Sequence, residues 1–196
     1  DSLFYDLKNN VGTTDDTMQL VSPQAKGSAR GIRYDHAARV LELKGAVDLE
    51  VTRLAPRPGS PASEEKSRVT SNSMFYSEND LLIRFMGNAR LDAPDAALSG
   101  SDIVARLSPD RRRMVSLMCR GNAEYRSRKP GDAQSLRGDR MDFDLSPDGK
   151  AIERIRVTGS AVFSSEAKDG GVGLQGGEIH LELNPADGSL QRILSK

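Results

Sequence analysis

Residues 136–163, LRGDRMDFDLSPDGKAIERIRVTGSAVF, decide the fold, because a version of the same sentence stands on each side of them. LSGSDIVARLSPDRRRMVSLMCRGNAEY begins at Leu98, and LQGGEIHLELNPADGSLQRILSK begins at Leu174. The leading glycines Gly100, Gly138 and Gly176 follow one another at 38 residues, and the closing glycines Gly121 and Gly159 keep the same interval. A fixed period of this kind is the mark of one supersecondary unit stacked repeatedly.

Within each unit apolar residues alternate with polar ones. Ile103, Ala105 and Leu107, then Met141, Phe143 and Leu145, then Ile179, Leu181 and Leu183 hold equivalent places, separated by residues such as Asp142, Asp144, His180 and Glu182. A period of two puts each triplet on one face of a strand and turns the carboxylates toward water. Between the strands stand Ser108-Pro109-Asp110, Ser146-Pro147-Asp148-Gly149 and Asn184-Pro185-Ala186-Asp187-Gly188. Pro presets φ, Asp bonds its own downstream backbone and Gly supplies a positive φ, so the units are β-hairpins.

The unit extends toward the N-terminus. In GIRYDHAARVLELKGAVDL, Gly31 opens a strand, Asp35–Ala38 turns it, and Val47, Leu49 and Val51 alternate after Gly45. Met74-Phe75-Tyr76 and Leu81–Met86 lead to Gly87, followed by Ala89 and Leu91. Gly45, Gly87, Gly121 and Gly159 are each followed by alternating apolar positions, among them Leu49, Leu91, Tyr125 and Phe163. Glycine recurring at one point in every strand predicts a bulge that bends each strand through the same corner. Leu3–Tyr5 and Met18–Val21 read as short strands split by a turn from Asn9 to Asp16. Pro56–Arg68 (PRPGSPASEEKSR) is rich in Pro, Ser and charge and reads as a flexible loop. Ser127–Gln134 and Ser164–Gly173 read as surface connections, and helix signals are almost absent.

Composition narrows the function classes. Apolar residues make up 37% of the chain and aromatic ones 5%, with no Trp, which suits a thin sandwich or trough better than a thick core. Basic and acidic residues balance at 28 each, so charge points to no nucleic-acid partner. No apolar run approaches the roughly 20 residues of a membrane-spanning helix. The stretch opens at Asp1 without a basic region, an apolar core or an initiator Met, and a signal peptide or anchor upstream is an open expectation.

No catalytic constellation stands out. His36 and His180 lie far apart in the sequence, and Cys119 falls on the repeat position of Val157, the place of a small buried hydrophobe. Gly170–Gly173 lacks the Lys and Ser/Thr of a phosphate loop. Arg111-Arg112-Arg113 is the one basic run, readable as a hydrated turn or as a grip on an anionic group. The chain therefore reads as a non-enzyme that needs no cofactor and no metal. What remains are the inward triplets. Shared by several units, they form one long apolar lining, and an unsealed lining would take up acyl chains at about 0.8 kcal/mol per buried methylene.

These segments, LRGDRMDFDLSPDGKAIERIRVTGSAVF and GIRYDHAARVLELKGAVDL above all, resemble the OstA-like family of lipopolysaccharide-transport proteins, which includes LptA, LptC and the periplasmic part of LptD. The resemblance covers most of residues 27–196 outside the presumed loop. Residues 1–55 look LptC-like and residues 69–196 look like LptA repeats, with 56–68 between them, in a single body spanning 1–196. The resemblance implies an all-β, open twisted β-jellyroll of stacked bent hairpins with little or no helix. It implies a periplasmic carrier of lipopolysaccharide, holding the lipid A acyl chains, joined edge to edge with other β-jellyroll transport proteins. An inner-membrane transporter complex would be a further partner, and an N-terminal tether would lie upstream. The lipid-facing positions it implies are Val47, Leu49, Leu91, Ile103, Leu107, Tyr125, Met141, Phe143, Leu145, Phe163, Ile179, Leu181 and Leu183. A structural or adhesive repeat protein with a sealed core and no ligand is the alternative.

Overall fold

The computed structural model describes residues 4–22, 25–57, 60–128, 133–166, 171–186 and 188–196, with side chains for all of these except 53–57, 60–64 and 166. They form thirteen strands and no helix: β1 Phe4–Asp6, β2 Val11–Val21, β3 Ala25–Asp35, β4 Val40–Arg57, β5 Ser60–Ser71, β6 Ser73–Ser77, β7 Leu82–Asp92, β8 Ala96–Leu107, β9 Met114–Ser127, β10 Ala133–Leu145, β11 Ile152–Glu166, β12 Val172–Leu183 and β13 Leu190–Ser195. All belong to one antiparallel sheet in which neighbours in sequence are neighbours in space, and β1 and β13 form its two ends. β5 and β6 act as one strand interrupted at Asn72, since β4 pairs with β5 through Val47–Arg57 and with β6 through Val40–Leu43. Because the end strands are not paired to each other, the sheet is open rather than a barrel.

Each long strand carries an irregularity at the same height. The ladder shifts register between Met86 and Ala89, between Gly138 and Arg140, and between Thr158 and Ala161. Three of the closing glycines sit in left-handed backbone together with the residue after them: Gly87 and Asn88 (φ 75° and 52°), Gly121 and Asn122 (76° and 54°), Gly159 and Ser160 (75° and 47°). Two consecutive left-handed residues break the extended path, so each strand is divided into an upper and a lower arm. The leading glycines meet this corner from the neighbouring strand. A Cβ on Gly100, Gly138 or Gly176 would lie 2.5 Å from Cys119 Sγ, Val157 Cγ1 or Ser195 Oγ respectively.

The repeat thus becomes rows running across the sheet. One lower-arm row is Phe85, Ile103, Cys119, Met141, Val157 and Ile179, and the next is Ile83, Ala105, Leu117, Phe143, Ile155 and Leu181, each residue opposite the following one. The upper arm carries Leu91, Leu98, Tyr125, Leu136, Phe163 and Leu174 in the same way. Between the arms runs a row of small residues, seen in the pairs Ala89–Gly100, Ala123–Gly138 and Ala161–Gly176, which gives the corner room to bend.

Several local expectations give way. The turn placed at Asn9–Asp16 is confined to residues 7–10, and β2 begins at Val11. Gly31 lies inside β3, at a bulge, instead of opening a strand. Most of Pro56–Arg68 is paired strand rather than loop, with Glu65 opposite Arg53 and Ser60 opposite Arg57. Polar composition denies that stretch a packed face, but a hairpin ladder satisfies its backbone without one. The connections read at Ser127–Gln134 and Ser164–Gly173 are likewise shorter, for Ser127 pairs with Ala96, Gln134 with Ser165 and Ser164 with Gly173.

Candidate functional site

The interior between the arms is the candidate site. Tyr125 on the upper arm and Phe143 on the lower arm have ring centroids 5.8 Å apart. Tyr125 is level with Leu136, and Phe143 lies seven residues farther along β10. In a flat strand those levels would be about 20 Å apart. The bend therefore brings the two apolar faces together.

Of the residues proposed from sequence, Val47, Leu49, Ile103, Met141, Phe143, Phe163, Ile179 and Leu181 are buried in one continuous apolar cluster. Leu91 and Tyr125 are half-buried and pack against it, as do Leu145 and Leu183, and Leu107 is half-buried. The last three lie at the lower rim, beside the hairpin turns, where Leu107 faces Met114, Leu145 faces Ile152 and Leu183 faces Leu190. Twelve of the thirteen are thus brought to one interior, and Leu107 stands at its rim. Sequence alternation alone missed Leu43, Val69, Leu98, Leu117 and Leu136, which are equally buried there. Register to the glycines could have found four of them, since Leu43, Leu98 and Leu136 stand two residues before a glycine and Leu117 four before Gly121, whereas Val69 has no glycine in its strand.

The interior is dry where it is best packed. Met141, Val157 and Ile179 have 0% exposure. Cys119 is equally enclosed, and burial pushes its thiol up to about 12, so it is an inert core residue as its repeat position implied. Its thiol donates to Ser99 O at 3.3 Å.

The lower rim is fixed by repeated side-chain turns. The Ser77 hydroxyl donates to Asp80 (2.7 Å) and that of Ser146 to Asp148 (2.6 Å), while the Ala151 N–H donates back to Ser146 Oγ at 3.0 Å. Ser108 and Asp110 repeat the arrangement. These hydroxyls satisfy backbone groups that the turn would otherwise bury unpaired.

The outer face is charged and paired. Asp102 accepts from Arg84 at 2.8 Å and from Arg120 at 2.9 Å, and Glu124 accepts from Arg126 and Arg137 at 2.8 and 2.9 Å. Burial alone would push the Asp102 carboxyl up, but the two guanidinium groups hold it below the usual carboxylate range. Asp142, one of the carboxylates expected in water, pairs with Arg140 at 2.7 Å. Of the basic run, Arg111 donates to Glu78 at 2.7 Å and Arg113 to Pro147 O at 2.8 Å, tying neighbouring rim turns together. His180 lies 2.8 Å from Glu178, and His36 stacks edge-on to Tyr34. Among the described residues no three metal-ligating side chains gather.

Both ends of the sheet carry short strands. β1 covers only Val11–Thr13 of β2, and β13 covers only Ile179–Leu183 of β12. Among the described residues, the upper-arm parts of β2 and β12 have a paired strand on one side only.

No family model and no curated protein matches the chain. In three dimensions the chain is similar to the crystal structure of LptH, the LptA-homologous periplasmic component of the conserved lipopolysaccharide transport device from Pseudomonas aeruginosa. The TM-score is 0.52 at 14% identity, over 66% of this chain and 80% of that one. The two share the bent, open β-jellyroll.

Proposed function

We propose that this protein is a periplasmic component of a lipopolysaccharide-transport bridge, holding acyl chains between its two arms and joining similar folds end to end. The observation that carries this reading is the continuity of the apolar rows. They pass from strand to strand across β7–β12 without a polar interruption. A lining of constant chemistry lets a chain advance without meeting a barrier, and its likeness to LptH supplies the transport context. At about 0.8 kcal/mol per methylene, ten enclosed methylenes offset the immobilisation of a lipid.

The end strands support the joining. Continued by one strand, the rows of the sheet would set Arg192 opposite Asp6, Ile193 opposite Tyr5 and Leu194 opposite Phe4 of a second copy, antiparallel as everywhere else. One pair is oppositely charged and two are apolar. Phe4 and Leu194 are 67% and 43% exposed in the single chain, so the joint would cover surface that water now meets.

The sealed packing around Met141 and Val157 favours the second reading, a structural repeat protein without a ligand. Native mass spectrometry after incubation with lipopolysaccharide separates the two. The transport reading expects a retained lipid adduct. A bare protein at saturating lipid, with no uptake of a hydrophobic dye, would establish the sealed-core reading instead.

A further inference from the structure

We propose that the acyl chains are held in the N-terminal half of the interior, between β2 and β7, while β9–β12 form a permanent core; this assignment rests on the transport reading. The two halves are built from the same rows but are not packed alike. On the lower arm, Leu41, Tyr76 and Ile83 stand level with Phe143, Ile155 and Leu181, being joined through successive partners. The first three are half-buried and the last three fully buried. On the upper arm the halves differ less: Leu20 and Leu91 are half-buried and Leu49 and Val69 buried in one, while Tyr125 and Leu174 are half-buried and Leu136 and Phe163 buried in the other.

Side-chain size explains the difference. Facing the lower arm, β9–β11 present Tyr125, Leu136 and Phe163, and Tyr125 reaches Phe143 across the interior. The corresponding upper-arm positions on β3–β5 are Gly27, Leu49 and Val69, with Ala29, Val47 and Ser71 nearer the corner. These are too short to span the same gap. In the row nearest the corner the halves are nearly alike, with Leu43 at 2% and Phe85 at 8% exposure against 0% for Met141, and the difference lies in the next row, where Leu41, Tyr76 and Ile83 are half-buried and Phe143, Ile155 and Leu181 enclosed. A chain entering here meets side chains that are already half open to water, Leu41, Tyr76 and Ile83, whereas one entering at β10 would have to part Tyr125 from Phe143 and open a close-packed core.

Photo-crosslinking with purified lipopolysaccharide tests the assignment. A benzophenone amino acid placed singly at Leu41, Tyr76 or Ile83 is expected to capture lipid at least fivefold more than one at Leu174 or Leu183, which are half-buried in the other half. Equal or stronger capture at Leu174 and Leu183 would overturn the assignment and leave the transport reading intact. Capture at no position would overturn the transport reading and the assignment with it. A second variant does not depend on the probe. Val69→Phe together with Ser71→Leu fills the gap from above and should lower lipopolysaccharide binding at least tenfold while the thermal midpoint is kept or raised; undiminished binding in that stable variant would also overturn the assignment.

Discussion

Tyr125 and Phe143 sit on different arms of neighbouring strands, yet their rings meet at 5.8 Å with an interplanar angle of 55°. Tilted aromatic pairs of this kind are worth about 0.5–1.5 kcal/mol beyond the area they bury. This contact joins the two arms at the centre of the sheet, within the larger apolar cluster. Phe143→Ala is expected to cost about 3–5 kcal/mol by removing a fully buried ring. A double-mutant cycle with Tyr125→Ala, read by urea unfolding, should give a coupling of about 1 kcal/mol; a coupling indistinguishable from zero would mean that the arms are held elsewhere.

The corner glycines make a sharper demand on volume. A Cβ on Gly138 would stand 2.5 Å from Val157 Cγ1 and 3.1 Å from Thr158 O, so Gly138→Ala should destabilise by about 1–3 kcal/mol. Val157→Ala in the same chain removes the clashing methyl and should return part of that loss. Gly173 has nothing within 4 Å of its missing Cβ, and Gly173→Ala should be close to neutral. Thermal unfolding of the three variants checks the ordering.

Acid should loosen the outer face. Asp102, Glu124 and Asp92 are held below their ordinary values in the fold, each by guanidinium hydrogen bonds that outweigh burial. Such groups contribute stability that is fully present above the unfolded carboxylate range, near pH 4, and is lost as pH falls through the lower folded value. The urea midpoint should thus be flat from pH 8 to about 5 and drop steeply below about 4. Asp102→Asn should cost about 1 kcal/mol at pH 7, after allowance for the partly exposed arginines, and should shallow the acid limb. An unchanged slope would remove Asp102 from the explanation.

Cys119 offers a readout of opening. With no exposure and a thiol pushed up to about 12, it should resist a thiol-reactive dye at neutral pH in the native protein. Labelling should track global unfolding as urea is added. Rapid labelling in buffer would show that the arms part at β9 without denaturant.

The proposed joint predicts a charge-swap pattern. Arg192→Glu should weaken self-association several-fold in sedimentation velocity, and adding Asp6→Arg to the same chain should restore it, because each joint then again sets opposite charges together. Indifference to both changes would exclude this register.

The sequence by itself determined the repeat, its hairpins and the inner face. Those are local properties: alternation assigns Met141 and Phe143 to one side whatever the rest of the chain does, and an interval of 38 residues forces equivalent positions into rows. It also marked the corner, since Gly121 and Gly159 stand where the backbone turns left-handed. It misjudged Pro56–Arg68, where composition says nothing about a backbone ladder supplied by the neighbouring strand. Only the tertiary structure decided whether the bent arms meet. That depends on which side chains from residues far apart in the chain come to face one another: Tyr125 and Phe143 meet across one half, while Gly27 and Val69 stand at the corresponding level of the other, where Leu41, Tyr76 and Ile83 are left half-buried. Periodicity specifies a face, but the width of the gap it looks across is set by packing between arms.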